Sequence, residues 1–191
     1  MSKLDQFERY YAKDRKEWRK WLEENHATAP GVWLIYYKKC ADKKCVSYDD
    51  AVEEALSFGW IDSKVNKLDD ERYMQVFTPR KPKSIWSKLN KQRVQKLIEN
   101  DLMAPAGLEK IKIAKKDGSW DFLNDIDDLV IPEDLKVSLN KNPSAKSNFG
   151  SFSDSVKKQI LFWIKSAKRP ETRKKRIGKV VTLALENKKP F

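Results

Sequence analysis

The chain has 191 residues, with 40 Lys and Arg against 28 Asp and Glu, and a net charge of +12. Its residues are 40% hydrophobic and 11% aromatic, which excludes an intrinsically disordered chain because such chains are poor in aromatic residues. No run of 18 apolar residues occurs, and the first residues lack the apolar stretch of a signal peptide. Since two Cys also suit a reducing compartment, the sequence predicts a cytoplasmic protein without a transmembrane segment.

Apolar residues at strand and helix spacing predict a small sheet with helices in the first half of the chain. Phe7, Tyr10 and Tyr11 suit a short strand, although the pattern there is also compatible with a helix. Residues 60–66 and 72–78 are expected to form a hairpin. The other predicted elements are a helix at 15–25, a strand at 32–38, and a helix at 48–58 that ends at Gly59.

The second half of the chain is predicted to be helical. Prolines keep residues 79–83 extended, because proline restricts its own backbone and that of the residue before it. The predicted fold class is therefore α+β: a small antiparallel sheet of three or four strands packed with helices, followed by a helical C-terminal unit. We expect domains at 1–125 and 126–191. The predicted helices lie at 85–101, 105–116, 133–141, 154–166 and 171–187, with an acidic irregular segment at 117–134.

The positive charge is concentrated in two short segments. Residues 79–96 carry a net charge of +7 and residues 154–191 a net charge of +9, whereas the rest of the chain nets −4. Concentrated positive charge is typical of proteins that bind phosphate, nucleic acid or an acidic surface. The alternative is that these lysines only solvate exposed helix faces.

The first segment leaves a predicted strand, runs extended through two prolines and enters a helix. A helix N-terminus presents unpaired N–H groups and a partial positive charge, so it binds anions readily. Here cations, hydroxyl donors and a flat aromatic surface precede that end, although an ordinary Ser cap with solvated lysines would also explain the pattern. The candidate ligand-binding residues are Arg80, Lys81, Lys83, Ser84, Trp86 and Ser87.

Asn90 and Arg93 fall within the apolar half of the following helix. One interpretation is that both line the wall of a pocket below the N-terminus of the helix. The other is that Arg93 forms an internal ion pair with a carboxylate such as Asp62. In the strand 60–66, Ile61 and Val65 are expected on the core side. Trp60 and Asp62 would then face a groove or a packed helix, so both join the candidate ligand-binding residues.

The second segment surrounds the Pro170 start of the last predicted helix. A basic amphipathic helix can bind nucleic acid, an anionic membrane surface or an acidic protein. The alternative is an ordinary surface helix that packs through its apolar stripe and exposes its lysines to water. Arg173 falls on the apolar side, where internal pairing is the alternative to a ligand. The candidate residues of this second basic site are Lys168, Arg169, Arg173 and Arg176.

Motifs for catalysis or for metal and cofactor binding are absent from the sequence. His26 is the only His, and with Cys40 and Cys45 it provides three metal ligands without a usual spacing, where a structural zinc site needs four. There is no Gly-rich phosphate loop and no G-x-S-x-G elbow. We therefore expect no metal, no cofactor and no catalytic residues.

Several blocks of sequence together resemble the YdeI/OmpD-associated family, also called bacteriocin-protection proteins. The resemblance runs from about Trp18 to Leu185, and the blocks occur in family order. It implies a bacterial cytosolic protein, a small helical domain at the C-terminus, and a link to envelope or antimicrobial-peptide stress. It brings no established catalytic residue, cofactor or substrate. The blocks are 55–62 (ALSFGWID), 77–81 (FTPRK) with Ser84, Trp86, Ser87 and Asn90, 103–107 (MAPAG), and 167–173 (AKRPETR) with Arg176 and Ile177.

The leading hypothesis is a non-catalytic protein that binds an anionic small molecule or a phosphate group. One alternative is a nucleic-acid-binding protein that uses both basic segments as one surface. Another is an enzyme that acts on a phosphorylated small molecule, with Asp62 as acid or base. An acidic protein partner for the last helix is the remaining possibility.

Overall fold

The computed structural model describes residues 3–38 and 43–189. The chain forms two compact units, divided between Asp121 and Phe122. Each unit has its own cluster of buried apolar side chains.

The first unit contains a four-stranded sheet in the order β1-β2-β4-β3. β1 pairs with β2 in parallel, while β2–β4 and β4–β3 are antiparallel. The α+β class is confirmed, and the sheet is mixed because a helix crosses over between β1 and β2. The elements are β1 (Glu8–Tyr11), α1 (Arg15–Asn25), β2 (Val32–Tyr37), α2 (Tyr48–Ser57), β3 (Trp60–Lys67), β4 (Arg72–Pro79), α3 (Lys88–Glu99) and α4 (Pro105–Asp117).

The helices pack on one face of this sheet and bury Trp60 in the main core. Ile61 is half-buried, and Val65 is 55% exposed. The prediction that Ile61 and Val65 lie on the core side was therefore wrong. Trp60 and Asp62 face packed helices, which was one of the two alternatives for them. Alternation of side chains distinguishes the two faces of a strand but does not say which face the helices cover. A register shift between Asp62 and Val65 further disturbs the alternation.

Two glycines let α4 approach the end of α2 and the start of β3. Gly59 has φ +72°, a left-handed conformation that ends α2, and a Cβ there would come within 2.5 Å of Cγ of Lys110. A Cβ on Gly107 would collide with the carbonyl oxygen of Ser57. That same oxygen accepts a hydrogen bond from the N–H of Ala104 at 3.1 Å. The first turn of α4 is thus held directly against the C-terminus of α2.

The second unit is helical, as predicted. It also contains a helix at 143–151 that was not predicted, since one predicted helix ends at 141 and the next begins at 154. Pro143 occupies the first turn of a new helix, where its missing N–H costs nothing. Within residues 3–38 and 43–189, no helix is both long and apolar enough to cross a bilayer. The helices are α5 (Asn124–Asp127), α6 (Glu133–Asn140), α7 (Pro143–Ser151), α8 (Asp154–Lys165) and α9 (Pro170–Leu185).

The substitution Gly107→Ala should destabilise the first unit by about 1–3 kcal/mol, since its Cβ must displace backbone rather than a flexible side chain. Hydrogen exchange of amides in α2 and α4, followed in the full chain, measures this effect. Lys116→Ala on the exposed side of α4 is the matched control, with an expected change within about 0.5 kcal/mol. Equal protection in Gly107→Ala and the parent chain would contradict the close approach of α4.

Candidate functional site

Arg80 is the most unusual of the candidate residues, because it is a cation with only 2% of its surface exposed. It follows directly after β4, and its backbone N–H donates to the carbonyl oxygen of Gly59 at 2.9 Å. This hydrogen bond extends the β3–β4 pairing by one residue and fixes where the side chain leaves the backbone.

The guanidinium of Arg80 lies over the ring of Trp86, 3.7 Å from its centroid. A planar guanidinium stacks well on an indole, and this contact favours the charged form. Nη1 donates to the hydroxyl of Ser84 at 3.1 Å and to the carbonyl oxygen of Ile85 at 3.4 Å. Nε and Nη2 are buried and have no hydrogen-bond partner in the described part of the chain.

Arg80 has neutral contacts where a buried arginine is usually paired with a carboxylate. Among residues 3–38 and 43–189, no Asp or Glu lies within 4.0 Å of its nitrogens. Burial lowers the pKa of Arg80 to about 10, and the negative charge of Asp62 acts in the opposite direction. Arg80 therefore remains a cation at neutral pH, with part of its hydrogen-bonding capacity unused.

A small cavity opens beside this side chain, and we call it the Arg80 pocket. Its volume is about 10 Å³, which is room for about one water molecule or one ligand oxygen. It lies between the loop that joins β4 to α3 and the C-terminal half of α4. Its lining residues are Arg80, Lys81, Pro82, Lys83, Ser84, Trp86, Lys110, Ile113, Ala114, Asp117 and Ser119.

The loop of the pocket is tied to the end of α4 by Asp117. Its Oδ2 accepts from the backbone N–H of Lys83 at 2.7 Å, and its Oδ1 accepts from the N–H of Ser119 at 2.9 Å. Lys83 adopts φ +63°, a left-handed conformation that directs its N–H toward this carboxylate. On the other side of the loop, the N–H of Trp86 donates to the carbonyl oxygen of Ser119 at 3.3 Å. Both carboxylate oxygens of Asp117 thus have structural partners.

Ser87, Asn90 and Arg93 lie outside the Arg80 pocket. The hydroxyl of Ser87 accepts from the N–H of Asn90 at 3.2 Å, as an ordinary cap of α3. Arg93 is paired with Asp49 and donates to Oδ1 of Asn90 at 3.3 Å. The structure therefore gives Arg93 the internal ion pair that sequence reasoning considered, but with Asp49 in place of Asp62.

Asp62 lies on the helix-facing side of the sheet, in a cluster separate from the pocket lining. Its Oδ2 accepts from the hydroxyl of Tyr48 at 3.1 Å and from Nε2 of Gln75 at 2.8 Å. On the same face, the buried hydroxyl of Tyr36 has no partner among the described residues, and desolvation raises the pKa of this phenol. Trp60 belongs to the core, where its Nε1 donates to the carbonyl oxygen of His26 at 3.2 Å.

The residues of the second basic site have different surroundings. Lys168 and Arg169 are exposed. Arg173 binds both oxygens of Asp134, at 2.6 and 2.8 Å. Arg176 donates to the hydroxyl of Ser166 at 2.9 Å and lies 5.1 Å from the ring centroid of Trp163. Two of the four cations are therefore engaged within the second unit.

Sequence reasoning missed the contribution of α4 and the residues just after it, namely Lys110, Asp117 and Ser119. No local signal marks them, because they lie 30 to 39 residues from Arg80 along the chain and only the packing of α4 brings them to it. Cys40 lies outside the described residues. Within the ranges that the structure covers, no group of three or more His, Cys, Asp and Glu could hold a metal ion.

Comparison with known families gives two matches. Residues 10–110 match the model of a domain of unknown function (DUF8412). Residues 128–187 match the model described as bacteriocin-protection, YdeI or OmpD-associated, which confirms the family resemblance inferred from the sequence. The first three motif blocks lie in the first match, and only the block at 167–177 lies in the second. No curated protein and no solved structure matches the chain.

Asp134→Asn should destabilise the second unit by about 1 kcal/mol at pH 7, after allowance for solvent screening of this partly exposed pair. Hydrogen bonds from Arg173 hold the pKa of Asp134 below its usual range. Its contribution is therefore complete above the unfolded pKa of about 4 and is lost as the pH falls through the lower folded value.

Hydrogen exchange of amides in α6 and α9, measured at pH 7 and near pH 2, tests this dependence. The difference between Asp134→Asn and the parent chain should shrink at the lower pH. Glu133→Gln is the control on the neighbouring position, since Glu133 lies 3.7 Å from Lys136 in an exposed pair. A difference that is unchanged at low pH would contradict the role of the Asp134 charge.

Proposed function

The chain belongs to the DUF8412 family and carries a YdeI/OmpD-associated domain at its C-terminus, and from this premise we propose that it binds a small oxyanion at Arg80. Neither family description names a ligand, so the proposal depends on the geometry of the first unit. In this proposal the protein is a binding protein without catalytic residues.

The observation that carries the proposal is the free edge of the Arg80 guanidinium. Nε–H and one N–H of Nη2 point in the same direction, and together they form the edge that binds two oxygens of an oxyanion or one shared oxygen. These two nitrogens are the ones without a partner among the described residues. An unsatisfied buried donor is costly, and more so when it is charged. An oxyanion at this edge would supply both the missing acceptor and the missing negative charge.

The charges around the pocket support an anion rather than a neutral acceptor. Lys81, Lys83 and Lys110 line the pocket with Arg80, and Asp117 is the one carboxylate in the lining. Positive charge concentrated at a cleft raises the local concentration of anions and their rate of association.

Binding is favoured over catalysis because the carboxylates near the pocket have other partners. Asp117 accepts two backbone N–H groups, and Asp62 accepts from Tyr48 and Gln75 outside the pocket lining.

The nucleic-acid alternative depends on the net charge of the two basic segments. Two of their arginines are engaged internally, Arg93 with Asp49 and Arg173 with Asp134.

The wider role in this proposal follows the family description. The C-terminal match is named for bacteriocin protection, and we extend to this chain a link with envelope or antimicrobial-peptide stress. A cytosolic location is part of the same proposal. A small oxyanion bound in the first unit would then be the signal or the metabolite to which the protein responds.

Sulfate or inorganic phosphate should raise the melting temperature of the full chain. At ten times Kd the stabilisation is about 1.4 kcal/mol, or about 3–6 °C for a chain of this length. Arg80→Gln removes the charge and the guanidinium edge, so it should abolish the shift. Lys88→Gln removes an exposed cation outside the pocket lining and should leave the shift intact.

A second measurement keeps the test valid if Arg80→Gln does not fold. Backbone amide shifts of the parent chain, followed by NMR during a sulfate titration, should change at residues 80–86 and 117–119. Absence of binding by both anions, or binding that perturbs only the second unit, would refute the proposal.

A further inference from the structure

We infer that the occupant of the Arg80 pocket is the terminal phosphate of a small phosphomonoester, bound as the dianion. This inference rests on the proposed function, because it requires that an oxyanion binds at Arg80. It goes further in naming the class of ligand, and it separates that class from carboxylates and from the phosphodiester backbone of nucleic acids.

Charge is the first reason for a dianion. The lining of the pocket has four cationic side chains, Arg80, Lys81, Lys83 and Lys110, and one carboxylate, Asp117. Both oxygens of Asp117 accept backbone N–H groups, so this carboxylate holds the loop in place and does not pair with Arg80. A monoanion would leave most of this positive charge uncompensated, whereas a dianion compensates more of it.

The size of the cavity is the second reason. A volume of about 10 Å³ admits about one oxygen atom beside the guanidinium, so the remainder of the ligand must stay at the mouth. A tetrahedral phosphate can insert one oxygen toward Nε and Nη2 of Arg80 and direct two others back toward the lysines. A planar carboxylate that inserts one oxygen has only one other oxygen to offer to three lysines.

The number of ester bonds is the third reason. A monoester has three terminal oxygens and two negative charges near neutral pH. A diester has two terminal oxygens and one charge, and it carries a substituent on both sides of the phosphorus. Its second substituent would compete for space at the mouth of a pocket whose lining includes three lysines. The Arg80 pocket should therefore discriminate against a nucleic-acid backbone.

Lys110 is the lysine best placed to enforce this preference. Its side chain is half-buried, unlike those of Lys81 and Lys83, which are exposed. Its Cγ lies over Gly59, where a Cβ would come within 2.5 Å. This packing restricts the stem of Lys110, so its ammonium loses less conformational entropy on binding than an exposed lysine does. Lys110 is thus assigned as a specificity residue for the second negative charge.

The test compares four probes on the full chain by NMR or calorimetric titration: phenyl phosphate, dimethyl phosphate, sulfate and acetate. At pH 7.5, phenyl phosphate should bind at least about tenfold more tightly than dimethyl phosphate and acetate, which corresponds to about 1.4 kcal/mol. Lys110→Gln should lower the affinity for phenyl phosphate about tenfold and change the affinity for acetate much less. Lys112→Gln on the exposed side of α4 is the matched control and should change neither affinity.

The pH dependence provides an independent arm. Phosphomonoesters lose their second charge with a pKa of about 6, so phenyl phosphate should bind about tenfold more weakly at pH 5 than at pH 7.5. Sulfate keeps both charges in this range. The charged groups that face the pocket are Arg80, Lys81, Lys83, Lys110 and Asp117. If the affinity for phenyl phosphate falls no more than the affinity for sulfate, binding as the dianion is overturned.

The outcomes separate this inference from the proposed function. If none of the four probes binds, the proposed oxyanion site itself is refuted. If sulfate or acetate binds at Arg80, the oxyanion site stands. If dimethyl phosphate or acetate then binds with the same affinity as phenyl phosphate, the phosphomonoester assignment is overturned. If Lys110→Gln keeps the same preference for phenyl phosphate over acetate, the role of Lys110 as a specificity residue is overturned.

Discussion

The candidate site of the first unit depends on one contact, the stacking of the Arg80 guanidinium on the ring of Trp86. A buried cation is tolerated here because the indole face and neutral acceptors surround part of it. The remaining edge, at Nε and Nη2, is left without a partner in the described chain. In the proposed function, an oxyanion would supply the acceptor that the described residues do not provide to this edge.

The surrounding backbone holds this arrangement through close approaches that only small residues permit. Gly59 ends α2, accepts the N–H of Arg80 at its carbonyl, and leaves room for the stem of Lys110. Gly107 brings α4 against Ser57. These glycines belong to two of the motif blocks that carried the family resemblance, and Arg80 and Trp86 belong to a third. The three blocks contact one another next to the Arg80 pocket, through Gly59 with Arg80 and Gly107 with Ser57, but only the block that contains Arg80 lines the pocket.

The arginines among the candidate residues have different partners in the structure. Arg93 is paired with Asp49, and Arg173 binds both oxygens of Asp134, so each completes an internal contact. Nε and Nη2 of Arg80 have no hydrogen-bond partner among the described residues. An arginine's role is thus decided by which acidic residue lies within reach, and that depends on contacts over many residues of sequence.

Much of the fold follows from the sequence alone. Helical and strand periodicity was sufficient to place most elements and the α+β class, because this signal acts over a few neighbouring residues. The sequence also located the basic segment at 79–96 and named Arg80 as a candidate. It could not show that Arg80 is buried while its neighbours Lys81 and Lys83 are exposed, since all three carry the same charge in the same loop. The packing of α4, the side of the sheet that the helices cover and the partner of each arginine depend on contacts between distant segments, and only the tertiary structure decides those.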